Sequence, residues 1–155
     1  MTLSLRPYQR AAIEALYDYF SASSGNPLVV MPTGTGKSLC IAGFTREAIA
    51  AYGDTRVLVL THVKELIQQN FMALLRAWPE APAGIYSAGL SRRDIHAQNL
   101  FAGIQSIHRH ARQVQRCDLV LIDEAHLLGR GDSGMYRSFL AQLNEINAGL
   151  LKVVG

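Results

Sequence analysis

The segment P-T-G-T-G-K-S at residues 32–38 has the residue types and spacing to bind a phosphorylated ligand. It follows the apolar run L-V-V-M at 28–31 and precedes a helical pattern. Glycines let a backbone curl around an anion so that several N–H groups point at it, and the helix that follows adds the positive end of its dipole. In such a loop Lys37 would reach the β- and γ-phosphates of a nucleotide, and the Ser38 hydroxyl would bind Mg²⁺.

This loop departs from the strict phosphate-binding pattern G-x-x-x-x-G-K-[S/T] at one position, because Met31 stands where the first glycine belongs. The alternative is a glycine-rich turn between a strand and a helix, with a solvated lysine. The apolar run before the loop and the helix after it favour the phosphate loop. The predicted phosphate-binding residues are Thr33, Gly34, Thr35, Gly36, Lys37 and Ser38.

Two adjacent carboxylates follow a second apolar run, in D-L-V-L-I-D-E at 118–124. Open α/β sheets bind ligands at the carboxyl ends of their strands, so Asp123 is suited to hold Mg²⁺ directly or through water. Glu124 can accept a proton from an attacking water and orient it. Adjacent side chains on a strand point to opposite faces, so the two carboxylates have separate roles unless the strand ends between them. A solvated turn is the alternative, and the phosphate loop upstream weighs against it.

Short apolar runs alternate along the chain with longer helical patterns. Because the strand candidates do not alternate apolar with polar residues, the pattern predicts an α/β domain whose mainly parallel sheet is covered by helices on both faces. The order of the strands stays open. The predicted strands are 28–31, 56–61, 83–88, 97–103, 118–124 and the last residues before 155. The predicted helices contain Ile13 to Phe20, residues 36–51, Phe71 to Trp78, a short stretch within 104–114, and 135–147.

Composition predicts one globular domain. The chain has 155 residues, of which 49% are hydrophobic and 17% charged, a balance that excludes disorder. A net charge of +3 is compatible with a polyanionic partner but too mild to establish one. Cys40 and Cys117 are far apart and form no C-x-x-C pair, which argues against a disulfide framework or a zinc site. Without a signal-peptide core or a run of about 20 apolar residues, we expect a cytoplasmic protein with no membrane segment.

The pair M-P-T-G-T-G-K-S and I-D-E-A-H resembles the first RecA-like lobe of superfamily 2 helicases and translocases. Further motifs of that superfamily are matched in the expected order. The glutamine motif resembles L-R-P-Y-Q-R-A-A-I-E-A-L, and motif Ia resembles V-L-V-L-T-H-V-K-E-L-I-Q-Q. A later motif, which contacts the nucleic-acid backbone, resembles F-A-G-I-Q-S-I-H-R. The L-R-P-Y-Q variant, with DEAH in place of DEAD, is most similar to the DNA-directed branch of restriction-enzyme motor subunits and repair helicases.

The resemblance implies that residues 1–155 form the N-terminal RecA-like ATP-binding lobe of an ATP-dependent DNA helicase or translocase, with ATP and Mg²⁺ as cofactors and DNA as partner. It assigns catalysis to Lys37, Asp123 and Glu124, with Ser38 and Asp123 as metal ligands. The family continues with a Ser/Thr-Ala-Thr motif and a second lobe that carries arginine fingers. This chain stops at Gly155, so we expect a fragment of a longer protein, with the second lobe as a partner and little hydrolysis by the fragment alone.

The resemblance also assigns roles outside the phosphate loop. It places Arg6 near the base, lets Gln9 read the adenine edge, and gives His126 the coupling to the second lobe. The positions implied to lie near strand phosphate are Thr61, Lys64, Gln105 and Ser106. Each of those four could instead be a helix-start cap or a solvated residue.

Two other functions are compatible with a phosphate loop. A self-contained P-loop kinase would need a lid and an Arg-rich substrate segment, and the D-E-A-H run argues against it. A nucleic-acid-binding adaptor with a degenerate motor fold would not need Lys37, Ser38, Asp123 and Glu124 intact. Four questions stay open: whether the partner is DNA or RNA, in which direction the motor moves, whether it unwinds duplexes or only translocates, and whether further domains are fused to it.

Overall fold

The computed structural model describes residues 4–126 and 133–155, in which helices and strands alternate. None of the helices in this described part is both long and apolar enough to cross a bilayer. The helices are α1 (Pro7–Ala22), α2 (Lys37–Ala51), α3 (Lys64–Ala77), α4 (Ile104–Ile107), α5 (Ala111–Val114) and α6 (Ser133–Ile146). The strands are β1 (Val57–Thr61), β2 (Ala83–Ser87), β3 (Arg92–Arg93), β4 (Asn99–Gly103), β5 (Leu119–Ile122) and β6 (Lys152–Val154).

The strands form one sheet in the order β3-β2-β4-β1-β5-β6. All neighbouring strands are parallel except the short pair β2 and β3. At the centre of the sheet Val59 lies between Phe101 of β4 and Leu121 of β5. The predicted mainly parallel sheet is confirmed, and β5, the strand that precedes the carboxylates, lies next to β1.

Each face of the sheet carries its own hydrophobic core, which explains why the strands are apolar throughout. Val57 and Val59 pack with α1, α2 and α3 on one face. Leu58 and Leu60 pack with α4, α5 and α6 on the other. Helices therefore cover both faces, as predicted. Both cysteines are buried and free, and burial raises the pKa of Cys117 to about 12, so this thiol stays protonated at neutral pH.

The prediction of a buried strand at 28–31 is wrong. The segment forms no strand and lies beside the end of β6. The Val29 N–H donates to the Gly155 carbonyl at 2.8 Å, and the Gly155 N–H donates to the carbonyl of the preceding Pro27 at 3.0 Å. In the described part of the chain these are its only backbone hydrogen bonds, and Leu28 and Val30 are 65% and 84% exposed. The apolar residues alone do not distinguish a buried inner strand from a segment at the outer edge of the sheet.

Two smaller differences come from local turns. The single helix predicted within 104–114 is divided into α4 and α5 by a turn at residues 108–110. The predicted polar loop after β2 contains β3, where Arg92 and Arg93 pair with Ser87 and Tyr86. Neither change alters the position of the phosphate loop or of the carboxylates.

Candidate active site

The phosphate loop adopts a backbone that only glycine accepts easily at two positions. Gly34 and Gly36 have φ angles of 78° and 79°, in the left-handed region that costs other residues about 1–2 kcal/mol. The Thr35 hydroxyl, between them, donates to the Pro32 carbonyl at 2.6 Å. Helix α2 begins at Lys37 without a side-chain cap on its first N–H groups. Those groups remain available to an anion.

Strand β5 ends at Ile122, before both carboxylates, so the rule that adjacent strand residues face opposite ways does not govern them. The Asp123 N–H still donates to the Leu60 carbonyl at 2.9 Å, and its buried carboxylate accepts from the Asn70 amide at 2.8 Å. Glu124 has a φ of 59°, an uncommon angle for a residue with a Cβ, and its carboxylate contacts Lys37 and His126. The two carboxylates therefore have different partners.

Lys37 and Glu124 form an ion pair although 87 residues separate them. The distance between Lys37 Nζ and Glu124 Oε1 is 3.0 Å, and the other oxygen of Glu124 lies 3.3 Å from His126 Nδ1. The fold thus joins the start of α2 to the end of β5, and it brings Lys37 and Glu124, both predicted site residues, into contact. A phosphate group that binds at the loop would compete with Glu124 for Lys37.

Two residues of α3 complete the polar surroundings of this site, and the sequence reasoning gave neither of them a role. Gln69 Nε2 donates to the Ser38 hydroxyl at 3.1 Å, next to the Asn70 bond to Asp123. The signal for Asn70 was present, because it shares the buried face of α3 with Ile67 and Leu74 at helical spacing. A polar residue on such a face usually has a polar partner.

Gln9 supports the phosphate loop from the start of α1. Its Nε2 donates to the carbonyls of Thr35 and Gly36, at 2.9 and 3.2 Å, and its Oε1 accepts from the Arg6 N–H at 2.9 Å. The Tyr8 hydroxyl donates to the same Thr35 carbonyl at 2.7 Å. Gln9 is 1% exposed. Contact between Gln9 and adenine stays a prediction.

A cavity of about 240 Å³ opens beside the ion pair. Its polar end is formed by Lys37, Asp123 and Glu124, and apolar side chains such as Phe44 line the rest. No cluster of three or more His, Cys, Asp or Glu side chains in the described ranges could hold a metal by itself. Ser38 and Asp123 suit Mg²⁺, which takes few protein ligands and completes its shell with phosphate oxygens and water.

The first two predicted strand-contact residues lie at the carboxyl end of β1. Thr61 is buried, and its hydroxyl accepts from the Val63 N–H at 3.3 Å. Lys64, the first residue of α3, is exposed, and its stem lies against Gly89. Lys64 is therefore the accessible cation at this point, and Thr61 shapes the turn that presents it.

The other two predicted strand-contact residues follow β4. Gln105 is exposed and donates to the His62 carbonyl at 3.4 Å. The Ser106 hydroxyl accepts from the Ala88 N–H at 2.9 Å. Thr61 pairs with Gly103 across the sheet, so the structure brings all four predicted residues to one edge, around the turns that follow β1, β2 and β4.

Solved structures of larger proteins share this fold. The UvsW helicase from bacteriophage T4 is 18% identical with a TM-score of 0.70, over 96% of this chain and 51% of that one. Mss116p, bound to ssRNA and AMP-PNP, is 16% identical with a TM-score of 0.77, over 97% of this chain and 34% of that one. The Sulfolobus solfataricus SWI2/SNF2 ATPase core in complex with dsDNA is 18% identical with a TM-score of 0.71, over 97% of this chain and 30% of that one. This chain spans about half of these structures or less. No curated protein sequence matches it.

A family model establishes the relationship at the level of sequence. The match covers residues 2–150, nearly the whole chain. Together with the shared fold, it confirms the predicted RecA-like lobe of superfamily 2. The chain belongs to the ResIII family, described as the type III restriction enzyme, res subunit.

Proposed function

We propose that this chain is the ATP-binding lobe of a DNA helicase or translocase, in which ATP hydrolysis drives movement on nucleic acid. The observation that carries the proposal is the 3.0 Å contact between Lys37 and Glu124. It joins a glycine-rich loop at a helix start to the acidic end of an inner strand of the sheet, the two parts that a phosphate-binding motor needs. Membership of the ResIII family supports the same function.

In this proposal the N–H groups of residues 34–38 surround the β- and γ-phosphates, and Lys37 leaves Glu124 to bind them. Ser38 and Asp123 hold Mg²⁺, which when bound neutralises charge on the phosphate oxygens. Glu124, released from the ion pair, orients a water and accepts its proton through a carboxylate oxygen. The freedom of Glu124 then depends on the presence of phosphate at Lys37.

The base binds beside the start of α1, with Arg6 near its ring and Gln9 at its edge. Both N–H groups of the Gln9 amide are engaged with the carbonyls of Thr35 and Gly36. Donating to adenine therefore requires Nε2 to release at least one of them, whereas Oε1, which accepts from Arg6, has a second lone pair for the base. A base that draws Gln9 away would also change the support of the phosphate loop.

Nucleic acid binds at the edge formed by Lys64, Gln105 and Ser106, with Thr61 shaping the turn. Two of the similar structures hold nucleic acid, ssRNA in Mss116p and dsDNA in the Sulfolobus ATPase core, and we favour DNA because of the L-R-P-Y-Q and DEAH motifs. His126, whose side chain is exposed, faces a second RecA-like lobe in the complete motor. The protein acts in the cytoplasm.

The 155-residue chain alone hydrolyses ATP barely above background. An arginine finger contributes roughly 10³–10⁵ in rate to phosphoryl transfer, and the family resemblance places the fingers on the second lobe. Arg92 and Arg93 lie on β3, the exposed Arg137 lies on α6, and Arg130 is outside the described residues. Strong turnover by this chain that Glu124→Gln abolishes would contradict this part of the proposal.

Titration calorimetry with ATP and Mg²⁺ tests the nucleotide site. We expect wild type to bind and Lys37→Ala to bind at least about tenfold more weakly, a loss of about 1.4 kcal/mol. Lys152→Ala is the matched control, since this exposed lysine on β6 contacts the Phe20 ring instead. Equal affinity of Lys37→Ala and wild type would refute the phosphate-loop assignment.

A further inference from the structure

Helix α3 contacts both predicted metal ligands through consecutive residues. Gln69 donates to the Ser38 hydroxyl at 3.1 Å, and Asn70 donates to Asp123 Oδ2 at 2.8 Å. Successive side chains on a helix differ by about 100° in direction. Both bonds can therefore form together only at one rotation of α3 relative to α2 and β5. The helix fixes the two ligands relative to each other.

Packing alone does not account for Asn70. The residue is 1% exposed and lies on the buried face of α3, between Ile67 and Leu74. Burying an amide costs free energy unless it is hydrogen-bonded, and Asn70 Oδ1 has no hydrogen-bond partner among the described atoms. An aliphatic residue would fill this place at lower cost. The contact that favours Asn70 is the one to Asp123.

The chemistry of the amide suits a metal ligand. A lysine or arginine at this position would neutralise the Asp123 carboxylate and compete with a bound cation. A neutral amide instead fixes one carboxylate oxygen and leaves the negative charge, together with the other oxygen, for the cation. Neutral groups behind a ligand commonly orient metal-binding carboxylates in this way.

We propose that Asn70 is a positioning residue that holds Asp123 in the orientation needed to bind the Mg²⁺ of a Mg²⁺–nucleotide complex, and that Gln69 does the same for Ser38. This inference rests on the proposed function, since it assumes that a nucleotide binds at residues 34–38. Neither residue touches the phosphates. Their loss is therefore expected to reduce the contribution of the metal and to leave metal-free binding unchanged.

The test measures the affinity for a fluorescent ADP analogue in excess Mg²⁺ and again in EDTA. The ratio of the two dissociation constants gives the tightening due to the metal. Asn70→Leu removes the donor and keeps the number and branching of the side-chain heavy atoms; we expect its Mg²⁺ tightening to fall at least about fivefold, with binding in EDTA within about twofold of wild type. Asn70→Ser, which keeps a donor, should recover part of the tightening.

Variants at neighbouring positions of α3 show whether any substitution in this helix has the same effect. Gln69→Ala, which loses one neutral hydrogen bond, should reduce the Mg²⁺ tightening about two- to threefold, whereas Gln68→Ala, at the neighbouring exposed glutamine, should not change it. Thermal unfolding identifies any variant that fails to fold. If Asn70→Leu does not fold, the ratio measured for Asn70→Ala decides.

The outcomes separate this inference from the proposed function. Absence of any binding by wild type would refute the nucleotide site itself. Binding with an unchanged Mg²⁺ tightening in the Asn70 variants would overturn only the positioning role. Equal weakening in Mg²⁺ and in EDTA would also overturn it, because that result indicates general support of the fold. Loss confined to the Mg²⁺ condition confirms the inference.

Discussion

Removing the charge of Glu124 is expected to tighten nucleotide binding, because the ion pair with Lys37 must open before Lys37 can bind a phosphate. The two side chains are 29% and 24% exposed and lie 3.0 Å apart. Exposed ion pairs contribute about 0.2–1 kcal/mol, and the upper part of that range suits a pair that is largely covered. A competing interaction of about 1 kcal/mol corresponds to roughly a fivefold gain in affinity for Glu124→Gln.

The assay is a titration with a fluorescent ATP analogue at two salt concentrations. Charges are screened over about 10 Å at 0.1 M salt and about 3 Å at 1 M. The gain from Glu124→Gln should therefore shrink as salt is raised. Hydrolysis by the complete two-lobed motor should fall in the same variant, because the group that accepts the proton from water is lost. Tighter binding by this chain, with slower turnover by the complete motor, is the expected combination.

A double-mutant cycle shows whether the gain arises through Lys37. In the Lys37→Ala background, Glu124→Gln should change the affinity by less than about twofold. An equal gain in both backgrounds would mean that Glu124 simply repels the phosphates. Unchanged or weaker binding by Glu124→Gln at low salt would refute the competition between Glu124 and phosphate.

Two further predictions concern the phosphate loop and its support. Gln9→Ala should erode a preference for ATP over GTP in competition titrations; equal weakening of both nucleotides would instead assign Gln9 to loop support through Thr35 and Gly36. Gly36→Ala should lower the free energy of unfolding in urea by about 2–3 kcal/mol, and Gly34→Ala by only about 1–2 kcal/mol. The two variants differ because a Cβ at Gly36 would lie 2.6 Å from Gln9 Nε2, whereas a Cβ at Gly34 would meet nothing within 4 Å. Equal losses in the two variants would contradict this reasoning.

Local signals were enough to predict the parts of the fold that position the candidate site. The glycine pattern at 32–38 indicated a turn into a helix, and the apolar runs before Thr61 and Asp123 indicated buried strands. Because the carboxyl ends of parallel strands meet at one edge of a sheet, the residues after Thr61 and Asp123 were expected at the same edge. The contact between Lys37 and Glu124 also depends on where the segment 28–31 lies. The pattern of apolar residues within one buried segment is enough to predict whether that segment forms a helix or a strand.

The features that were not predicted depend on contacts between distant segments. The apolar run at 28–31 lies at the outer edge of the sheet, and no periodicity distinguishes a central strand from an edge segment. Asn70 contributes to the site only because α3 packs beside the end of β5. The bonds of Gln9 to the phosphate loop depend on how α1 crosses the start of α2.

The most direct test of the account is to observe the backbone amides of the phosphate loop while nucleotide is added. In a nitrogen-15 NMR titration of the 155-residue chain with Mg²⁺ and ADP, the largest shifts should fall on residues 34–38. Smaller shifts are expected at Asp123 and Glu124, and Lys37→Ala should strongly reduce the response at the same nucleotide concentration. Shifts confined to other parts of the chain, or an undiminished response in Lys37→Ala, would contradict the assignment of this loop as the nucleotide site.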